Sequence, residues 1–125
     1  MSPSSSKPSY KFAHQTNTMA PIHHFAGINP APGKEARLKE LMTEFADKVE
    51  KQEQGVLKFH LFEQFDGEKG NVIIVHEVYE DSAALEAHLK TEHFAAVKKA
   101  FAEEGLLAGP YEMKKVKAFA GFRSR

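Results

Sequence analysis

Residues 71–80, NVIIVHEVYE, set one carboxylate, Glu77, inside a run of β-branched and aromatic side chains, and strand alternation puts it on the face of Ile73, Val75 and Tyr79. A carboxylate in that company must find a partner or take up a raised pKa. Either outcome fits it to act as an acid, a base or an orienting group. In the helical stretch that follows, His88 comes one turn after Ala84 and Leu85 and beside Leu89, on or next to the inward stripe, so it can reach Glu77. A carboxylate that fixes the tautomer of a histidine and raises its basicity makes a general base. The competing reading of the same two residues is a structural hydrogen bond that satisfies two buried polar groups. His93 shares a helical face with Val97 and Ala100 and is expected to point toward the same space, with a capping role near Thr91 as the alternative. His60 and His76 can face each other across a hairpin, but no metal-site spacing of the HExxH kind accompanies them. They read as a polar feature between two copies of the chain rather than a metal pair. His14, His23 and His24 carry no interpretable pattern.

Other chemistries are excluded by what these residues lack. There is no Cys, which removes disulfides, thiolate nucleophiles, zinc ribbons and cysteine-ligated iron–sulfur or haem centres. Gly27, Gly55, Gly67, Gly70, Gly105, Gly109 and Gly121 never fall in GxGxxG or GxxxxGK spacing, so no flavin or nicotinamide cofactor is expected. Lys plus Arg, 17, balances Asp plus Glu, 17, and no net field favours nucleic acid or anionic membrane as a partner. The stretch NVIIVHEV has no aromatic on which a base could stack, and Lys114, Lys115, Lys117, Arg123 and Arg125 read as a solvated edge strand and tail.

These side chains need elements to position them, and 125 residues with 42% hydrophobic content suffice for one folded domain. Residues 1–20 are rich in Ser, Pro and Thr without an acidic residue and read as a flexible extension, with an organelle transit peptide as the alternative. No segment approaches the apolar length of a membrane span, and a cytoplasmic location is expected. PIHHFAGI (21–28) reads as a strand closed by NPAPG. In the next segment Leu38, Leu41, Met42, Phe45 and Val49 form one stripe of a helix ending near Gly55. VLKFHLFEQF (56–65) and NVIIVHEVYE (71–80) read as a hairpin centred near Glu68, which sets His60 opposite His76, Phe59 opposite Glu77, Leu61 opposite Val75 and Leu57 opposite Tyr79. A second helical region starts at Asp81 and breaks or recaps at Thr91, and residues 111–122 read as a last strand. The order is β-α-β-β-α-β, a ferredoxin-like α+β sandwich of a four-stranded antiparallel sheet with helices on one face. The strand 71–80 is nearly apolar on both faces, yet two helices cover only one. The other face is expected to pack on a second copy of the sheet in a homodimer.

The stretch VIIVHEVYEDSAALEAHLKTEHFAAV, with PGKEARLKELM and GVLKFHLF, resembles the antibiotic biosynthesis monooxygenase family of the dimeric α/β-barrel superfamily over about residues 21 to 122. Glu77, Val78, Tyr79, Asp81, Ala84, Leu85, His88, His93 and Phe94 are its most specific part. The resemblance implies a dimeric barrel with a pocket between sheet and helices in each subunit. It also implies cofactor-independent oxidation by dioxygen of a small aromatic or otherwise hydrophobic metabolite, such as a phenol, quinol or anthrone, with neither cofactor nor metal bound. His88 is then the base and Glu77 its orienter, with Tyr79, His93, Phe59 and Tyr111 as substrate-binding candidates. The haem-degrading branch carries a tryptophan where His88 stands and a haem-ligating histidine where Lys98 stands, so haem degradation is not expected. The superfamily's breadth leaves two alternatives: a non-catalytic small-molecule binding or stress-related protein, or an isomerase or decarboxylase using the same base.

Overall fold

The alternating segment at residues 21–28 forms the first strand, β1 (Ile22–Ile28), in the computed structural model, which describes residues 20–66 and 71–125. The apolar stripe becomes α1 (Glu35–Gln52), with Leu38, Leu41, Met42, Phe45 and Val49 all buried. The hairpin follows as β2 (Val56–Gln64) and β3 (Val72–Tyr79). The second helical region is two helices, α2 (Ser82–Leu89) and α3 (Glu92–Glu103), and β4 (Glu112–Val116) ends the sheet. Both expected caps are present: Asp81 accepts from the backbone N–H of Ala84, and Thr91 from that of Phe94. The sheet order is β2-β3-β1-β4 with every neighbouring pair antiparallel, the ferredoxin-like α+β arrangement. The extension expected over residues 1–20 lies, apart from Ala20, outside the described residues, as does the hairpin tip at Glu68.

One face of the sheet carries the core. Ala26 and Ile28 of β1 and Ile73 and Val75 of β3 pack against the α1 stripe, Val97 of α3 and Leu106. Each large apolar side chain sealed there contributes about 1.5–3 kcal/mol through burial. The hairpin register agrees with the expectation at His60↔His76, Phe59↔Glu77 and Leu61↔Val75.

Two expectations are corrected. Val56, not Leu57, pairs with Tyr79, and a bulge between Val56 and Lys58 turns Leu57 outward to 56% exposure. The strand entrance is pinned by a Glu80 N–H to Gly55 C=O bond of 2.9 Å, so the extra residue has to bulge. The last strand stops at Val116 rather than 122. Its ladder partner β1 begins at Ile22, where His23↔Val116 is the final pair, and the preceding Pro21 has no N–H to continue it.

Candidate active site

Between the core face of the sheet and helices α2 and α3 lies a cavity of about 280 Å3 with a mostly apolar lining. Phe59, Tyr79, Tyr111, Glu77 and His88 line it, five of the six residues expected there. His93 does not. It sits behind the cavity wall, where its ring meets a carboxylate that the expected pairing left out.

That carboxylate is Glu53, the residue that caps the C-terminus of α1 and donates its own N–H to the Val49 carbonyl at 2.9 Å. Its side chain is 9% exposed. Nδ1 of His88 lies 2.9 Å from Oε1 and 3.2 Å from Oε2, and Nε2 of His93 lies 2.5 Å from Oε2. An ionised carboxylate only accepts, so each of these ring nitrogens carries the proton and donates it. Glu53, not Glu77, is therefore the hydrogen-bond partner of His88. The pairing expected from strand parity does not form: the Nδ1 of His88 is bonded to Glu53, and the hydrogen bond that Glu77 makes is to the Tyr79 hydroxyl. Gly55, in the turn just after Glu53, packs closely on α2: a Cβ there would stand 2.8 Å from the Cβ of Ala84. The signal was present in the sequence, since Glu53 continues the stripe of Phe45 and Val49 by one more turn.

With Nδ1 committed to Glu53, Nε2 is the nitrogen through which the His88 ring can serve a molecule in the cavity. The ring is 2% exposed and packed among aromatics, with centroids 5.3 Å from Tyr79, 5.3 Å from Phe94, 5.7 Å from Phe45 and 6.1 Å from Phe59. A base in such a dry setting exchanges protons with a bound molecule rather than with bulk water.

Glu77 has a different partner. The Tyr79 hydroxyl donates to its Oε1 at 2.5 Å. Burial pushes the Glu77 carboxyl above the ordinary range, against the opposing effects of the Tyr79 hydrogen bond and the His88 charge. Burial and the adjoining Glu77 charge also raise the Tyr79 phenol, which makes it a proton holder and not a phenolate.

The sheet adds two groups that the sequence reading left uninterpreted or assigned to the surface. His24 of β1 lies between Glu77 on β3 and Lys115 on β4, and both His24 and Lys115 line the cavity. His24 shares parity with Ala26 and Ile28, the signal that could have placed it inside. Burial first, then the Lys115 charge, hold its pKa below the ordinary histidine value. On the opposite face, His76 stacks on Phe25 at 4.4 Å, and its Nε2 is 3.3 Å from Nδ1 of His23. Among the described residues, no group of three or more His, Cys, Asp or Glu is placed to hold a metal ion, and no helix is long and apolar enough to cross a membrane.

Residues 21–100 match the family described as antibiotic biosynthesis monooxygenase. No curated protein matches the chain in sequence. Among solved structures, it is similar to a Caulobacter crescentus protein provisionally named an antibiotic biosynthesis monooxygenase. The two are 28% identical with a TM-score of 0.71, over 86% of this chain and 99% of that one. A Pseudomonas aeruginosa protein is 25% identical, covers 83% of this chain and 99% of its own, and also has a TM-score of 0.71. A Mycobacterium tuberculosis protein at 22% identity, with 82% and 98% coverage and a TM-score of 0.70, shares the fold.

Proposed function

The chain belongs to the antibiotic biosynthesis monooxygenase family, and from that premise we propose that it oxidises a small aromatic or otherwise hydrophobic metabolite with dioxygen, without a bound cofactor. The observation that carries this reading is His88: its Nδ1 is held by Glu53 while its ring faces an apolar cavity of about 280 Å3.

His88 Nε2 takes a proton from the substrate, a phenolic O–H or the acidic C–H of an anthrone. The resulting anion is electron-rich enough to pass one electron to dioxygen. The radical and superoxide then combine to form a C–O bond, and the peroxide anion takes a proton back from the imidazolium. Loss of water leaves a carbonyl: the CH2 of an anthrone and O2 become C=O and H2O, and a phenol loses its ring C–H and O–H hydrogens to give a quinone and H2O. Glu53 stabilises the imidazolium that forms between the two proton transfers. Glu77, held by the Tyr79 hydroxyl, is placed to accept from a substrate hydroxyl, and Phe59 and Tyr111 bound the ring site. The apolar lining keeps the anion away from bulk water.

A second reading has its own observation. Glu53 ties the end of α1 to both α2 and α3 through two histidines, which a purely structural clasp in a binding protein would also do. Oxygen uptake with 1-naphthol, substituted hydroquinones and anthrone, corrected for autoxidation, separates the two. We expect catalysed uptake with at least one of them, reduced about 10² to 10⁴ by His88→Ala. A folded protein that accelerates none of them, or a His88→Ala variant within a few-fold of the parent, would favour the binding protein.

A further inference from the structure

His24 is 3% exposed, and neither of its ring nitrogens has a hydrogen-bond partner. Such a group calls for an explanation, because no protein atom replaces the water its two nitrogens bond in the unfolded chain. The imidazole is on the cavity floor. Its neighbour Glu77 accepts from the Tyr79 hydroxyl and makes no hydrogen bond to His24, and its own contact with Tyr79 is an edge packing at 5.6 Å between centroids. Its other neighbour, Lys115, makes no ion pair among the described residues. A second cation lines the same cavity, Lys98, whose Nζ lies 5.3 Å from the centroid of Phe94.

We propose that the corner formed by His24 and Lys115 is the polar end of the ligand site and takes an acidic oxygen, a carboxylate or phenolate, on an otherwise flat apolar molecule. The inference rests on the preceding reading only in taking this cavity as the ligand site. The chemistry follows from the two side chains. A buried imidazole beside an ammonium stays neutral, so it presents one N–H donor and one acceptor. The N–H and the ammonium converge on an anion, and the remaining nitrogen accepts from a hydroxyl beside it. A ligand anchored there on the sheet would extend its rings beneath α2 and α3, toward the aromatic surroundings of His88.

Equilibrium binding under anaerobic conditions tests this with two pairs of probes, each matched in shape: 2-naphthoate against 2-naphthamide, and 2-naphthol against 2-methoxynaphthalene. The acidic member of at least one pair should bind about tenfold tighter than its neutral partner. The naphthoate pair reports a carboxylate source, and the naphthol pair a phenol source. Lys115→Met should bring that preference to within about threefold. His24→Phe should abolish it and raise the thermal midpoint, because an apolar ring of similar shape replaces two unpartnered nitrogens. Equal binding within both pairs, no binding of any probe at about 1 mM, or a preference that survives Lys115→Met would overturn the proposal. So would a lowered midpoint in His24→Phe, which would mark His24 as a structural group bonded through water. Oxygen uptake without an acidic preference would remove the anion corner and leave the oxygenation standing; an acidic preference without uptake would do the reverse.

Discussion

Replacing Glu53 by Gln exchanges one oxygen for an amide nitrogen at the point where two imidazoles converge. In the parent, His88 Nδ1 donates to one oxygen at 2.9 Å and His93 Nε2 to the other at 2.5 Å. Gln offers one acceptor and one NH2, and an NH2 cannot face an N–H donor. One imidazole must change tautomer. If His88 changes, its proton moves to Nε2, the atom assigned to take the substrate proton, and the base is lost. If His93 changes instead, His88 keeps its tautomer but loses the negative charge that stabilises the imidazolium. Either way the rate should fall by about 10² to 10⁴, equivalent to about 3 to 5 kcal/mol in the barrier. The stability cost is smaller. Two hydrogen bonds to an ionised group become neutral ones, a loss of about 1 kcal/mol each and roughly ten degrees in thermal midpoint. Oxygen uptake reads the first effect, and thermal unfolding the second. Nitrogen-15 NMR of the imidazoles reads the tautomer directly, with the parent His88 expected to be protonated at Nδ1. A parent whose His88 proton sits on Nε2 would refute the orientation. A Gln variant with uptake within about threefold of the parent and a lowered midpoint would reduce Glu53 to a structural clasp.

Two further outcomes follow from the sheet. Ile74, on the face away from the helices and paired with Gly27 and Phe62, sits in the proposed sheet-to-sheet contact, so Ile74→Glu should convert a dimer into monomers by light scattering; a parent that is monomeric at low micromolar concentration would remove the dimer. Glu77 titrates higher in the folded chain than its ordinary value of 4.5, so the native state holds more protons than the unfolded one within that window, and stability falls as pH rises through it. Glu77→Gln, which keeps an oxygen for the Tyr79 hydroxyl, should therefore gain midpoint relative to the parent as pH rises from about 4. A difference that stays flat with pH would contradict the raised carboxyl.

The sheet's pairing and the positions of both helical regions were legible because each depends on a period. Val75 and Glu77 alternate, and Phe45 and Val49 repeat by one turn, so a face can be assigned without knowing what lies opposite. The partner of His88 was not legible by the same means. Parity and helical phase give direction but not height. Whether His88 meets the sheet at Glu77 or the helix end at Glu53 depends on how the turn after α1 packs on α2, where Gly55 lies against Ala84 with no room for a Cβ, and no periodicity reports that contact. Leu57 escaped for a related reason. A bulge moves one residue off the alternation, and nothing in VLKFHLF distinguishes a bulged leucine from a buried one. His24 is not legible in the sequence because a lone histidine in a short strand acquires meaning only with its cross-strand neighbours Glu77 and Lys115.

The separation of the polar groups between two layers bears on how one fold serves several reactions. The proposed base and its carboxylate belong to the helical layer, with Gly55 packed on Ala84 and Glu53 clasped to His93. The groups proposed to grip the substrate's acidic oxygen belong to the sheet, where the β3-β1-β4 ladder sets the spacing of Glu77, His24 and Lys115. Substitution on the floor can change which molecule is held without disturbing the tautomer of His88, because no hydrogen bond joins His24 to His88. Displacement of α2 acts the other way. It would move the base relative to a ligand still anchored on the sheet, and general-base catalysis depends steeply on that distance. On the proposed reading, substrate choice and catalytic rate are carried by different elements, so mutations on β1 and β4 should alter affinity chiefly, while mutations around Glu53 and Gly55 should alter turnover.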